Sequence, residues 1–198
     1  MNLIFNSYPA GAEIPATEYL ANIKLAKYFN RETAATIVCM GELHRSTDVD
    51  PKTPFYFALG TIEFEDYGLH DITAGSRDAQ GHFSNESFIK DALPRISPLN
   101  QFKVLQNMPL SFVSIAFGLV GDNAVLYDET YALLLAGRYA PTNGPILLGA
   151  SKAYRDGRVE AAVALTDKHE MAAHTVSPLP VHAIELFKEW QRIGDTDA

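Results

Sequence analysis

The stretch from Ser97 to Leu165 decides the fold. It reads SPLNQF at 97–102, NMPLSFVSIAFGLVGDN at 107–123 and AYRDGRVEAAVAL at 153–165. Apolar runs with small residues, separated by glycine, predict alternating helices and strands. The predicted elements are a helix Met108–Phe117 closed by Gly118, a strand Ala124–Tyr127, a helix Thr130–Ala136, a helix Ile146–Arg155 and a strand Val159–Leu165.

The flanking sequence extends the same alternation. A continuous apolar run at 55–61 predicts a buried strand, and Asn30 is a suitable N-cap for a helix from Arg31 to about His44. Strands alternating with helices indicate an α/β fold with a mixed or parallel sheet flanked by helices, in one domain over residues 1–198. The other predicted elements are a short strand at 3–5, a helical region from about Ala16, a loop over 66–85 with room for one helical turn, a short helix at 88–93 and an amphipathic helix at 183–193.

Composition restricts the function. The net charge of −8 argues against nucleic acid or an anionic membrane as a partner, and against direct docking of acidic acyl carrier proteins. A single cysteine, Cys39, excludes an internal disulfide. With no apolar run long enough to span a bilayer and no secretion signal at Met1, the expected location is the cytoplasm.

The order of motifs resembles the N-terminal half of a β-ketoacyl synthase, a thiolase-fold enzyme that condenses acyl chains. Gly60-Thr61 after a strand, Ser97-Pro98, Asn107-Met108-Pro109 and Gly118-x-x-Gly121-Asp-Asn each have a counterpart in that family. Ala153-Tyr-x-x-Gly-Arg158 matches the end of the helix that follows the family's nucleophile. The resemblance covers roughly residues 20–170 and implies a thiolase-like N-terminal half.

Two departures from the family pattern point away from catalysis. Counting from Gly121, the family's nucleophilic cysteine falls at about Thr130, and a hydroxyl holds an acyl chain less usefully than a thiolate. By the same resemblance, the half of the fold that supplies the family's histidines has no counterpart among these 198 residues. Chain-length factors of type II polyketide synthases share this loss, and truncated relatives of this kind look most like the partner subunit of aryl-polyene systems.

The resemblance therefore implies a partner and a set of interface residues. A full-length β-ketoacyl synthase would be the heterodimer partner, with acyl carrier protein reached through it, and we expect no metal and no cofactor. Residues lining the partner's acyl tunnel would be Phe102, Leu105, Gln106 and Met108, with plain packing as the alternative role. The strand that pairs across the dimer axis would consist of Ala124, Val125, Leu126 and Tyr127.

Other functions remain open from the sequence. The chain could be a stand-alone malonyl decarboxylase or acyltransferase using Glu129 and Thr130, or an acyl-binding scaffold without chain-length control. Cys39, between apolar neighbours, is more consistent with a small buried residue than with a nucleophile. His169 and His174 are five residues apart, not the four that place two zinc ligands on one helix face.

Overall fold

The computed structural model describes residues 1–60, 69–95, 105 and 107–196. Contacts within the chain define two compact units, residues 1–63 with 106–198, and residues 64–105. The larger unit contains the β-strands β1 (Asn2–Tyr8), β2 (Phe55–Leu59), β3 (Asn123–Tyr127), β4 (Ile146–Ala153) and β5 (Val159–Thr166). The helices are α1 (Arg31–Ser46), α2 (Leu69–Gly75), α3 (Asn85–Ser87), α4 (Met108–Phe117), α5 (Thr130–Arg138), α6 (Lys168–Ala173) and α7 (Ala183–Thr196).

The five strands form one mixed sheet in the order β1-β5-β4-β2-β3. Strands β4, β2 and β3 are parallel to one another, while β5 is antiparallel to both of its neighbours, β4 and β1. Strand β5 therefore runs against the other four. The predicted α/β class with a mixed sheet flanked by helices is confirmed.

Side chains alternate between the two faces of each strand, and both faces are covered. On one face, alternate residues of β4 and β5, such as Leu148, Ala150 and Ala162, pack with Phe187 and Trp190 of α7. On the other face, α1 packs against β5, β4 and β1. Burial on both faces explains why β2, β4 and β5 read as apolar runs.

Helix ends fall where the sequence places stop and start signals. The Asn30 side chain accepts a hydrogen bond from the backbone N–H of Thr33 at 2.8 Å, so the predicted N-cap of α1 is confirmed. Gly118 ends α4 in the left-handed conformation with φ +66°, which a residue without Cβ adopts at no steric cost. Among the described residues, every helix is too short or too polar to cross a lipid bilayer.

One predicted element is wrong. Residues 146–155 do not form a helix: Ile146–Ala153 is strand β4, paired with β2 on one side and β5 on the other. Strand β5 pairs along the whole of this apolar run and β2 pairs with its residues Leu147 to Ser151, and this hydrogen bonding on both sides outweighs the helical spacing of the run. Tyr154 to Arg158 forms the turn of the β4–β5 hairpin, with Tyr154 N–H bonded to Arg158 O at 2.9 Å. The family motif assigned to a helix end at this turn is therefore misplaced.

Smaller corrections concern element ends. The helical region from Ala16 consists of two 3-10 segments, Ala16–Tyr19 and Ile23–Tyr28. Helix α5 continues through Gly137 to Arg138 instead of stopping at Ala136.

The smaller unit is helical. Its predicted loop contains α2, and the predicted short helix at 88–93 is a π segment, Phe88–Ala92, followed by a 3-10 segment, Leu93–Arg95.

Close packing at the centre of the sheet provides a stability test. A Cβ placed on Gly149 of β4 would lie 2.7 Å from Cδ2 of Phe57 and 3.0 Å from Cε2 of Phe55. Gly149→Ala should lower the free energy of unfolding by about 1–3 kcal/mol, because the two rings are buried and cannot both move aside. Urea denaturation followed by circular dichroism measures this change.

Gly194→Ala is the matched control, because a Cβ at this exposed position of α7 meets no atom within 4 Å. It should leave stability unchanged or raise it by up to about 1 kcal/mol through helix propensity. Equal effects of the two substitutions would contradict the packing described around Gly149.

Candidate functional site

A sharp reversal of the chain lies between β3 and α5. Strand β3 ends at Tyr127 and α5 begins at Thr130, so only Asp128 and Glu129 connect them. The Thr130 N–H donates to the carbonyl of Val181 at 3.1 Å, which holds the segment before α7 against this turn. A strand–turn–helix connection of this kind presents the first helical residue at the carboxyl edge of the sheet, where nucleophiles of α/β enzymes are found. We call residues 127–130 the elbow.

Thr130 is the first helical residue of the elbow, but its side chain is buried away from solvent. Its side chain is 1% exposed, and its hydroxyl has no hydrogen-bond partner in the part of the chain that the structure describes. No described base therefore lies within hydrogen-bonding reach of this oxygen, and a threonine hydroxyl needs such a base to act as a nucleophile.

The carboxylate of Asp128 forms the most highly connected polar contact of the elbow. The Asp128 side chain is 7% exposed; its Oδ2 lies 3.1 Å from Nζ of Lys152 and 2.7 Å from Nδ1 of His182. Its Oδ1 accepts the backbone N–H of Ala183 at 3.0 Å, and this N–H opens helix α7. One buried carboxylate thus connects the end of β3, the end of β4 and the start of α7. A negative charge at the start of a helix also interacts favourably with the helix dipole.

Gly60 makes this network possible. Strand β2 lies between β3 and β4, so the Lys152 side chain must cross the end of β2 to reach Asp128. A Cβ on Gly60 would lie 2.9 Å from Cγ of Lys152 and 3.0 Å from the carbonyl oxygen of Ser151. The absence of a side chain at residue 60 leaves the path of Lys152 open.

A second buried carboxyl group lies at the end of β4, in the first turn of α1. Glu32 is 2% exposed, accepts a hydrogen bond from the backbone of Ala153, and has an Oε1 without a described partner. Burial raises the pKa of Glu32 to about 7; the hydrogen bond from the Ala153 backbone opposes this rise, and the nearby charge of Asp128 contributes to it. The hydroxyl of Ser151 is also buried and unpaired among the described residues.

The predicted pairing strand is an edge strand. Among the described strands, β3 pairs only with β2, so its other side carries backbone groups that no described strand satisfies. Ala124, Val125 and Leu126 are half-buried, while the Tyr127 side chain is 76% exposed.

Three exposed apolar side chains lie at the elbow or next to it, and one of them, Tyr127, is the last residue of β3. Tyr131 follows Thr130 and is exposed, and so is Val181, whose carbonyl bonds to Thr130. We call Tyr127, Tyr131 and Val181 the elbow patch. Apolar groups gathered beside an unpaired strand edge are typical of a surface that another chain covers.

The residues predicted to line a tunnel are only partly visible. Met108 is the half-buried first residue of α4, and Leu105 is exposed. Phe102 and Gln106 lie outside the described residues, so their role stays a prediction.

Cys39 is buried in α1, and its thiol donates to the carbonyl of Ala161 at 3.3 Å. Burial raises the pKa of Cys39 to about 12, so the thiol carries no nucleophilic thiolate near neutral pH. The interpretation of Cys39 as a small buried residue is confirmed.

The two histidines near α6 do not form a pair. His169 lies in the first turn of α6, while Nδ1 of His174 contacts the carbonyl oxygen of Glu170 at 2.8 Å just after the helix ends. Within the described residues, no cluster of three or more histidine, cysteine or acidic side chains is placed to hold a metal ion.

Sequence reasoning missed the Asp128–Lys152–His182 network. Asp128 was visible as a polar residue following a predicted strand, where the carboxyl ends of parallel strands meet. Lys152 fell within a predicted helix, so its place at the end of a strand was hidden. The chain matches no protein-family model, and no curated protein is significantly similar to it.

Burial of Glu32 predicts a pH dependence of stability. The folded protein holds this proton up to about pH 7 and the unfolded chain only to about 4.5. The free energy of unfolding therefore falls as pH rises through this range. Glu32→Gln has no carboxyl to ionise and does not lose this free energy. The difference in free energy of unfolding, variant minus wild type, should therefore rise by about 3 kcal/mol from about pH 4 to about pH 8. Urea denaturation at a series of pH values measures the difference.

Glu13→Gln, at an exposed carboxylate, serves as the control and should keep the wild-type pH profile. A constant free-energy difference between Glu32→Gln and the wild type across the same pH range would show that the Glu32 carboxyl ionises as it does in water.

Proposed function

We propose that this chain is a ketosynthase-like subunit of the thiolase fold that performs no condensation itself. It would pair with an active β-ketoacyl synthase and shape the acyl tunnel of that partner, as a chain-length factor does. The observation that carries the proposal is the free edge of β3 leading directly into an elbow with threonine at the nucleophile position.

The order of the elements supports the family assignment. A helix that begins after Asn107-Met108-Pro109 ends at Gly118, and a short strand then leads to the elbow with Thr130. These are the positions at which the family resemblance places its glycine turn and its nucleophile. The support lies in residues 107–130, because the motif at 153–158 belongs to a hairpin turn.

The chemistry of the elbow supports a role without covalent catalysis. Glu129 puts an exposed carboxylate beside Thr130, and its negative charge disfavours the oxyanion that acyl transfer has to stabilise. Lys152 forms an ion pair with Asp128, and Nδ1 of His182 lies 2.7 Å from the same carboxylate, so both side chains contact Asp128 rather than an oxyanion position. The elbow therefore has the strand–turn–helix form of a nucleophile turn, but its polar contacts hold the turn in place and do not activate Thr130.

The surface around β3 supports pairing with another chain. A strand added to this edge would satisfy the backbone groups of Asn123–Tyr127 and bury the elbow patch. With a net charge of −8, the subunit would leave the docking of an acidic carrier protein to its partner, in the same cytoplasmic complex. Tunnel shaping by Phe102, Leu105, Gln106 and Met108 belongs to this proposal.

The alternative of a stand-alone malonyl decarboxylase or acyltransferase makes a distinct prediction. The purified chain would then release CO2 from malonyl carrier protein, and Thr130→Ala with Glu129→Ala would abolish the release. Among the described residues, no contact of the Thr130 hydroxyl favours this alternative.

Complex formation tests the proposal. Candidate β-ketoacyl synthases are co-expressed with this chain, and the complexes are measured by size-exclusion chromatography with light scattering. Tyr127→Arg should abolish a heterodimer that the wild type forms, because an arginine at the paired edge would be buried without a partner.

Tyr139→Arg is the matched control, because Tyr139 is 77% exposed and Tyr127 is 76% exposed, but only Tyr127 lies on β3. A heterodimer that survives Tyr127→Arg would show that another surface makes the contact. A chain that stays monomeric beside every ketosynthase tested would overturn the proposed function.

A further inference from the structure

A groove with a volume of about 570 Å3 opens between α5 and α6. Pockets for small molecules commonly measure roughly 300–1,000 Å3. Most of its lining is apolar and comes from Tyr131, Leu134, Leu135, Met171 and Leu179.

The two helices are held close together beneath the groove. A Cβ placed on Gly137 of α5 would lie 3.0 Å from Sδ of Met171 in α6, and Met171 is buried. The Thr175 hydroxyl donates to the backbone carbonyl of Met171 at 3.1 Å, so its hydrogen is not available to a ligand in the groove. The middle of the groove therefore offers a ligand van der Waals contacts and few hydrogen bonds.

Two cations stand at one end of the groove. Arg138 is the last residue of α5, and Nζ of Lys168 donates to the carbonyl of Ala140 at 2.9 Å, just beyond that helix end. Tyr131 lies in the first turn of the same helix, about 10 Å away along its axis at 1.5 Å per residue. The groove is thus positive at one end and apolar along the next two turns, in a chain whose net charge is −8.

We propose that this groove binds an amphiphile with an anionic head and a medium-length alkyl chain, such as a fatty carboxylate. The head would pair with Arg138 and Lys168, and the alkyl chain would run along Leu135 and Met171 toward Tyr131. Burial of the alkyl chain would supply most of the affinity, and the two cations would select the sign of the head group. This inference rests on α5, α6 and the residues that follow α6; it shares Tyr131 with the elbow patch but does not require the proposed pairing of β3.

Isothermal titration calorimetry of the purified chain with decanoate tests the proposal. Decanoate should bind, while decyltrimethylammonium, which carries a positive head on the same alkyl chain, should bind at least tenfold more weakly. Arg138→Gln should weaken decanoate binding about fivefold, the effect expected for one exposed ion pair.

Filling the groove provides the sharpest comparison. Ala172→Trp places an indole in the groove and should abolish decanoate binding, whereas Ala173→Trp adds the same bulk at the next exposed position of α6, outside the lining. Circular dichroism verifies that both variants fold. Binding by Ala173→Trp together with loss in Ala172→Trp supports the site.

Equal decanoate affinity in Ala172→Trp and the wild type overturns the groove as the site, and so does an absence of decanoate binding to the wild type. Equal affinity for the two head groups overturns the role of the cations. The calorimetry uses the chain without a ketosynthase. A negative calorimetric result therefore leaves the Tyr127→Arg complex-formation test unaffected, and a negative complex-formation result leaves the calorimetry unaffected.

Discussion

The compensation of one buried charge, the carboxylate of Asp128, organises the carboxyl edge of the sheet. A carboxylate removed from water is costly unless cations and N–H donors replace its hydration, and Lys152, His182 and the N–H of Ala183 do so here. Because these partners come from the end of β4 and the start of α7, the contacts of Asp128 link both elements to the end of β3. The elbow is thereby held rigid beside the free edge of β3, which is where a partner strand would need a defined surface.

Much of the fold follows from local signals in the sequence. Asn30 caps α1 because its side chain reaches the N–H of Thr33, and Gly118 ends α4 because it accepts a positive φ. The aromatic run of β2 is buried on both faces, as its composition indicates. The run Ile146–Ala153 carries no such signal: short apolar runs suit a buried helix or a central strand equally, and only pairing with β2 and β5 decides between them.

The site was less predictable than the fold, because its contacts join residues far apart in the chain. The edge strand and the elbow were predicted, since a strand and a helix separated by two residues appear as neighbours in the sequence. The ion pairs of Asp128 depend on which strand lies beside which, on a glycine at residue 60 and on the position of α7. Glu32 was missed for a similar reason: its burial results from α1 covering the end of β4.

The free edge of β3 has a consequence for stoichiometry. If the strand joins its counterpart across a two-fold axis, the two backbones meet antiparallel, and main-chain hydrogen bonds are the same whichever sequence supplies the second strand. A second copy of this chain could then compete with the proposed ketosynthase partner for pairing with β3. Selection between self-pairing and mixed pairing would then come from side chains, among which Tyr127 is the most exposed apolar one on β3. The relative abundance of the two subunits in the cell would decide how much of each assembly forms.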